Sequence, residues 1–213
     1  MLSHAEADSL AALGHSLARF QQACDDIYRR SAAGTLPPWI ADWLDRGKPE
    51  WLVSLQRAKG MRGHAPRVIR PDLMVTQEGF AMSELDSVPG GVGLTAYLNE
   101  VYADDFPRVI GSAAMPDRFM ASLARLTPKE KFPLVAIVVS DEAATYRPEF
   151  EWLGEKLRTL GHDVHVVEPA QLMQMGDGSY IPVEGAPRRV DILYRFFELF
   201  DLANVKGADG IFN

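Results

Sequence analysis

Apolar residues recur at three- and four-residue steps along the first sixty residues, which is the spacing of amphipathic helices. The longest such segment covers residues 4–33 and ends before Gly34, where the helical spacing is lost. Two shorter segments, 39–44 and 51–57, repeat the spacing and contain three tryptophans. The sequence therefore predicts a helical region over residues 1–60.

The period of the apolar residues changes from helical spacing to two after residue 67. Residues 68–76 and 80–87 alternate between apolar and polar side chains, which is typical of half-buried strands. The intervening Gln77-Glu78-Gly79 predicts an antiparallel hairpin with a three-residue loop. A glycine-rich loop, Pro89-Gly90-Gly91-Val92-Gly93, follows the hairpin.

Two helices are predicted after the glycine-rich loop. The first begins at Thr95 and reaches about Tyr102, and the second covers residues 118–126 with Asp117 as its cap. Backbone N–H groups at the start of the first helix would face the glycine-rich loop, which predicts an anion site there.

The second half of the chain has the pattern of a β-α-β unit. The apolar run 134–139 is typical of a strand buried on both faces, and an amphipathic helix over 148–160 precedes another strand at 164–167. Residues 190–196 predict a third strand of the same sheet, and 180–183, which contains a proline, predict an edge strand. The fold class is therefore a mixed α/β protein with an antiparallel hairpin and a Rossmann-like unit.

Composition narrows the possible partners. The 213 residues include 22 Lys and Arg against 29 Asp and Glu, so the net charge is −7, which argues against a nucleic-acid or anionic-membrane partner. A single cysteine, Cys24, excludes an intrachain disulfide and a multi-thiolate metal site. The start has no basic signal region, and no apolar run approaches the length of a membrane span, so we expect a cytoplasmic protein.

Charged residues gather on one face of the predicted hairpin. In the three-residue register Asp72 is opposite Glu84 and Arg70 is opposite Asp86, so all four side chains project to the same side. Like charges placed opposite each other destabilise a sheet, and a Mg²⁺ ion with carboxylate ligands would remove that repulsion. The alternative is a solvated face with a surface ion pair between Arg70 and Asp86.

The segment resembles the glutathionylspermidine-synthase-like, circularly permuted ATP-grasp ligases. The residues that carry the resemblance are Arg70-Pro71-Asp72, Glu84-Leu85-Asp86 twelve residues further on, and the Pro/Gly loop that follows. In that family an Arg-x-Asp on one strand and a Glu-x-Asn on the next form the Mg²⁺–ATP site, so Asp86 stands where Asn is common. The α/β segment after Phe132 resembles the family's pre-ATP-grasp domain.

The resemblance implies a role for each matching residue. It implies Asp72, Glu84 and Asp86 as Mg²⁺ ligands, and Arg70 as the catalytic cation that faces the phosphates of ATP. Gly90, Gly91 and Gly93 would then contact the nucleotide, while Ser87 and Thr95 would lie near the acceptor substrate.

The implied reaction joins a small-molecule carboxylate to an amine at the expense of ATP. Lysines that ATP-grasp enzymes place on strands over the phosphates are not evident here, so we expect an N-terminal portion of a longer ligase, inactive alone. Its partner would be the C-terminal part of the same polypeptide. The expected divisions are residues 1–60, 61–128, 129–205 and a truncated tail, 206–213.

Two further interpretations remain open. The chain could be a non-catalytic binding or regulatory module with ATP-grasp-like architecture, or a nucleotide-sugar enzyme or carbohydrate hydrolase that uses its acidic pair. Arg195 and Glu198, at the end of the third α/β strand, are candidate substrate contacts because sites in open α/β sheets lie beyond the carboxyl ends of strands. A local ion pair between them is the alternative.

Overall fold

The computed structural model describes residues 3–103, 105, 114–176, 178–198 and 205. Its chain forms two compact units, one of residues 1–66 and 73–82 and the other of residues 67–72 and 83–213. The predicted tail, 206–213, lies outside the described residues. The four-part division of the chain stays a prediction.

Three helices make up most of the first unit, as the apolar spacing predicts. They are α1 (His4–Ala32), α2 (Trp39–Asp45) and α3 (Glu50–Arg57), followed by a short 3-10 turn. The buried Ser31 connects α1 to α2, because its hydroxyl donates to the Pro37 carbonyl at 2.6 Å and accepts from the Ala41 amide at 3.0 Å. Such partners offset the cost of burying a hydroxyl away from water.

The hairpin consists of β1 (Arg70–Thr76) and β2 (Gly79–Asp86) in a two-stranded sheet. Its loop contains two residues, Gln77 and Glu78, so the predicted three-residue loop is wrong. The Thr76 hydroxyl accepts from the Glu78 amide at 3.3 Å and donates to the Gly79 carbonyl at 3.1 Å. These side-chain bonds satisfy loop backbone groups and let the turn close with one residue fewer.

The helix after the glycine-rich loop begins earlier than predicted. It is α4 (Val92–Tyr102), so Gly93 lies in its first turn and Gly91 is its N-cap. The next helix, α5 (Met115–Ala124), also begins earlier, and Asp117 lies within its first turn and does not cap it. Apolar spacing locates a helix well but leaves its first turn uncertain, because the early N–H groups need no intrahelical partner.

A three-stranded parallel sheet forms the centre of the second unit. Strand β3 (Leu134–Val139) lies between β4 (Asp163–Val167) and β8 (Ile192–Phe196), and α6 (Arg147–Thr159) connects β3 to β4. All six residues of β3 are buried, as expected for a strand covered on both faces. The mixed α/β class with a β-α-β unit is confirmed.

Alternate side chains of β3 enter two different cores. One core contains Val135, Ile137 and Val139 with residues from α5 and α6, and the other contains Leu134, Ala136 and Val138 with Ile181 and Phe197. This division follows from the two-residue period of a strand.

A second small sheet supplies Ile181. It consists of β5 (Met173–Met175), β6 (Gly178–Val183) and β7 (Ala186–Arg189), with β6 in the middle, so the predicted edge position of residues 180–183 is wrong. Pro182 is the register partner of Pro187, which places the two residues that lack an amide hydrogen at one rung. Within the described ranges no helix is both long and apolar enough to cross a bilayer.

Candidate functional site

Arg70 connects three groups at the base of the hairpin. Its Nε donates to Asp72 Oδ1 at 3.1 Å, its Nη2 lies 3.5 Å from Asp86 Oδ2, and its Nη1 donates to the Gly90 carbonyl at 3.2 Å. The hydrogen bond that Arg70 donates to Asp72, together with the charges of Asp72, Asp86 and Glu84, raises the pKa of the guanidinium above its usual value. The structure thus brings Arg70, Asp72 and Asp86 together, with the cation between the carboxylates.

The three predicted magnesium ligands differ in their surroundings. Asp72 and Asp86 both contact Arg70, whereas Glu84 is exposed on β2. Among the described residues no group of three His, Cys, Asp or Glu side chains is close enough to hold a metal ion. The magnesium role of these carboxylates therefore stays a prediction.

Asp86 also shapes the loop that follows β2. Its Oδ1 accepts from the Val88 amide at 2.8 Å, and this bond turns the chain toward Pro89 and Gly90. We call Arg70, Asp72 and Asp86 the hairpin base. Because the Gly90 carbonyl accepts from Arg70, hydrogen bonds connect the hairpin base to the glycine-rich loop.

Two of the glycines permit close packing against α6 and the turn before it. A Cβ on Gly90 would lie 2.2 Å from the Tyr146 ring, and a Cβ on Gly93 would lie 2.1 Å from the Glu149 carbonyl oxygen. Gly91 instead has a φ of +87°, which side chains disfavour. Each of the three glycines thus has a structural role, and their nucleotide role stays a prediction.

The amides at the start of α4 bind an internal carboxylate. Glu149, on α6, accepts from the Gly91 amide at 2.7 Å and from the Leu94 amide at 3.0 Å. A carboxylate at this position benefits from the partial positive charge of a helix N-terminus. These amides therefore bind Glu149 in the structure, and a site for an external anion at this loop stays a prediction.

A pocket of about 220 Å³ lies where β3 and β8 end, and we call it the strand-end pocket. Ser140 and Glu142 follow β3, Phe197 and Glu198 follow β8, and Arg70 and Asp86 form the side contributed by the hairpin base. Strand β3 leads to β4 on one side while β8 lies on the other, so the pocket stands at a topological switch point. Ligands of open α/β sheets bind in such crevices.

The weaker substrate candidates occupy different surroundings. Glu198 lines the strand-end pocket, and Arg195 lies beside it, donating to the Phe197 carbonyl. Burial lowers the pKa of Arg195, and the charge of Glu198 acts in the opposite direction. Ser87 and Thr95 are both exposed, Thr95 within α4.

Tyr146 and Ser140 also line this pocket, although neither is among the site residues predicted from the sequence. Tyr146 contributes a half-exposed ring that meets Phe196 edge to face, with 5.2 Å between centroids. Ser140 follows β3 directly, and its fully buried hydroxyl has no hydrogen-bond partner within the described residues. Its position directly after a buried strand was the available sequence indication, whereas nothing local marks Tyr146.

Tyr194, on β8 beside the site, gives the second unit a pH dependence. Burial raises the pKa of its phenol to about 12, while Arg195 lowers it and Asp86 and Glu149 raise it. Because the unfolded phenol ionises near pH 10, this stabilisation is complete below pH 10 and is lost as the pH rises toward 12.

We expect Tyr194→Phe to leave the free energy of unfolding nearly unchanged at pH 7. Between pH 10 and pH 12 the variant should lose about 2–3 kcal/mol less of this free energy than wild type does. Urea unfolding at a series of pH values from 7 to 12 measures the difference between wild type and variant. If the free energy of unfolding fell equally with pH in the two proteins, the raised pKa of Tyr194 would be contradicted.

Comparison with known proteins finds one informative similarity. A curated protein of Frankia alni, named "Putative glutamate--cysteine ligase 2-3", is 28% identical to this chain over 239 residues. The alignment takes in 96% of the chain and 25% of the relative. The chain therefore spans about a quarter of that relative's length. No protein-family model matches the chain, and no solved structure matches it.

Nearly the whole chain is thus similar to part of a protein that is named as a ligase. This similarity does not distinguish the glutathionylspermidine-synthase-like group or the ATP-grasp architecture, so both stay predictions.

Proposed function

We propose that this chain is the part of an ATP-dependent carboxylate–amine ligase that holds Mg²⁺ and one end of a substrate. The observation that carries the proposal is the convergence of Arg70, Asp72 and Asp86 beside the strand-end pocket. The similarity to the Frankia alni protein named "Putative glutamate--cysteine ligase 2-3" supports the same reaction class.

The hairpin base fits a magnesium-bound nucleotide by the chemistry of its donors. Asp72, Glu84 and Asp86 offer the carboxylate oxygens that Mg²⁺ prefers, and Arg70 offers a planar set of donors suited to phosphate. In the structure Arg70 contacts both Asp72 and Asp86 and offsets part of their negative charge. When bound, ATP supplies the phosphoryl group that activates a carboxylate for attack by an amine.

The chain's own residues would then position the nucleotide and offset the negative charge of its phosphates. Arg70 would exchange its contact with Asp72 for a phosphate oxygen, because that ion pair is half-exposed and worth only about 0–1 kcal/mol. Asp86 would keep the glycine-rich loop in place through the Val88 amide. Glu149 already binds the Gly91 and Leu94 amides, so phosphate contacts at this loop would require its displacement.

We further propose that this chain alone has little turnover. No described lysine lies on a strand, and Lys156 on α6 is paired with Glu100 at 2.7 Å. The remaining phosphate contacts would come from a longer ligase polypeptide, in keeping with the greater length of the Frankia alni relative.

A non-catalytic binding or regulatory module is the second candidate. The observation that favours it is that Arg70 and the α4 amides are already satisfied by internal carboxylates. Such a module would keep the architecture without responding to nucleotide.

Thermal unfolding with and without Mg²⁺–ATP tests the proposal. At a nucleotide concentration about ten times Kd, binding adds about 1.4 kcal/mol, which raises Tm by about 3–5 °C. The double variant Asp72→Asn with Asp86→Asn should lose this rise, because it removes two of the proposed ligands.

The double variant Asp8→Asn with Asp42→Asn is the matched control, since the two residues are exposed on α1 and α2 and the change of charge is the same. It should retain the full nucleotide response. An equal response in all three proteins would reject the hairpin as the site, and no response in wild type would favour the non-catalytic module.

A further inference from the structure

A pocket of about 390 Å³ in the first unit is rich in positive side chains, and we call it the basic pocket. Its walls come from the C-terminal end of α1 and from the end of α3 onward. The charged residues that line it are five cations and one carboxylate, namely Arg29, Arg30, Arg57, Lys59, Arg62 and Asp26. Since the whole chain has a net charge of −7, this excess of positive charge is local.

Three of the five cations have acidic partners within the chain. The ion pairs are Arg29–Asp25 at 2.9 Å, Arg30–Asp26 at 3.6 Å and Arg57–Asp45 at 2.5 Å. These three arginines also lie in the last turn of a helix, where a cation stabilises the negative end of the helix dipole. Ion pairs and helix ends therefore account for their presence.

Lys59 and Arg62 differ from these three arginines. Both follow α3, both are exposed, and neither side chain has an ion-pair or hydrogen-bond partner in the part of the chain that the structure describes. Two unpaired cations beside three others repel them, which raises the electrostatic free energy of this surface. A bound anion would remove that repulsion.

Hydrogen bonds between segments hold the walls of the basic pocket in place. Nη2 of Arg29, on α1, donates to the Gln56 carbonyl on α3 at 3.1 Å. Asp25 Oδ2, also on α1, accepts from the Gly63 amide at 3.2 Å, which fixes the backbone next to Arg62. A site that is already positioned in the absence of ligand binds at a lower entropic cost.

The donors of the basic pocket favour phosphate as the anion. A guanidinium group offers planar pairs of N–H donors that match phosphate oxygens, and the ammonium group of Lys59 adds a point charge. Arg30 can join Arg62 in this role, because its pair with Asp26 is more than half exposed on both sides and such pairs contribute little. The volume of about 390 Å³ is within the range of small-molecule sites. Three cations in one pocket match a ligand with more than one phosphate.

We propose that the basic pocket binds a small soluble molecule that carries two or more phosphate groups, through Arg30, Lys59 and Arg62. This site goes beyond the proposed function, because its residues all belong to the first unit, whereas the hairpin base belongs to the second. Binding there requires neither a metal ion nor phosphoryl transfer.

Chemical-shift titration of the full chain with fructose 1,6-bisphosphate, in the absence of divalent metal ions, tests the proposal. We expect saturable shifts at the amides of Ala33 and Thr35, which line the basic pocket. Fructose 6-phosphate, which has one phosphate fewer, should bind about tenfold more weakly, and fructose should give no shifts.

The double variant Lys59→Gln with Arg62→Gln should weaken binding of the bisphosphate at least about tenfold. Because neither side chain has a partner among the described residues, the variant should keep the Tm of wild type when no ligand is present. The amides of Ala33 and Thr35 report on binding in both proteins, since neither residue is changed.

Arg19→Gln with Lys129→Gln is the matched control, because both residues are exposed, lie outside the basic pocket and undergo the same changes of residue and charge. It should bind the bisphosphate as wild type does. Equal weakening by the two double variants, shifts confined to the amides of Val88 and Gly90, or no saturable shift in wild type would each overturn the proposal.

A phospholipid headgroup could offer the same phosphates, and sedimentation with vesicles separates the two sources. The vesicles consist of phosphatidylcholine with and without phosphatidylinositol 4,5-bisphosphate. Sedimentation with the phosphoinositide vesicles, together with no shift on addition of the free sugar bisphosphate, would reject the soluble ligand. Saturable binding of the free bisphosphate without sedimentation would support it.

Discussion

Gly93→Ala is expected to destabilise the second unit by about 3 kcal/mol and to lower its Tm by about 6–12 °C. The added Cβ would lie 2.1 Å from the Glu149 carbonyl oxygen and 2.7 Å from its carbonyl carbon. Both atoms belong to the backbone of α6, so no side-chain rotation relieves the overlap. Differential scanning calorimetry without nucleotide measures the effect.

Gly14→Ala provides a matched comparison with the opposite expected sign. Gly14 lies within α1, and a Cβ there would meet nothing within 4 Å. Alanine should therefore stabilise that helix by up to about 1 kcal/mol. If Gly93→Ala were as harmless as Gly14→Ala, the close approach of α4 to α6 would be wrong.

Glu149→Ala is expected to cost the second unit about 2–3 kcal/mol. The substitution leaves the Gly91 and Leu94 amides without the carboxylate that accepts from them at 2.7 and 3.0 Å. Glu149→Gln keeps one acceptor oxygen and should cost about half as much, which distinguishes lost hydrogen bonds from lost charge. Urea unfolding of the three proteins measures both values.

Glu155→Ala is the control on the same helix, because Glu155 is exposed, and its effect should stay within about 0.5 kcal/mol.

A second measurement concerns anions. Because Glu149→Ala releases two amide donors, we expect the variant to bind inorganic pyrophosphate more tightly than wild type. Unchanged pyrophosphate binding would show that these amides do not serve a phosphate.

Much of the fold follows from local periodicity. The six apolar residues of β3, the amphipathic α6 and the alternation in the hairpin each identify an element from a few neighbouring residues. The hydrophobic pattern does not predict the two-residue hairpin loop, because this loop depends on hydrogen bonds of the Thr76 hydroxyl. The central position of β6 was missed because Pro182 faces Pro187.

The candidate site could be predicted only in part. Side chains two residues apart on one strand share a face, so the proximity of Arg70 and Asp72 follows from the sequence. The contact between Glu149 and the glycine-rich loop joins residues more than fifty positions apart, and only tertiary packing creates it. The strand-end pocket has the same origin, since β3 and β8 become neighbours through the sheet.

Paramagnetic broadening by Mn²⁺, which replaces Mg²⁺ at carboxylate sites, tests the central claim most directly, because it locates the metal. With Mn²⁺ and ATP present, we predict that the amide signals of Asp72, Asp86, Val88 and Gly90 broaden first, and that Asp72→Asn with Asp86→Asn removes this broadening. Broadening centred elsewhere, or broadening of these signals that survives the double substitution, would contradict a metal–nucleotide site at the base of the hairpin.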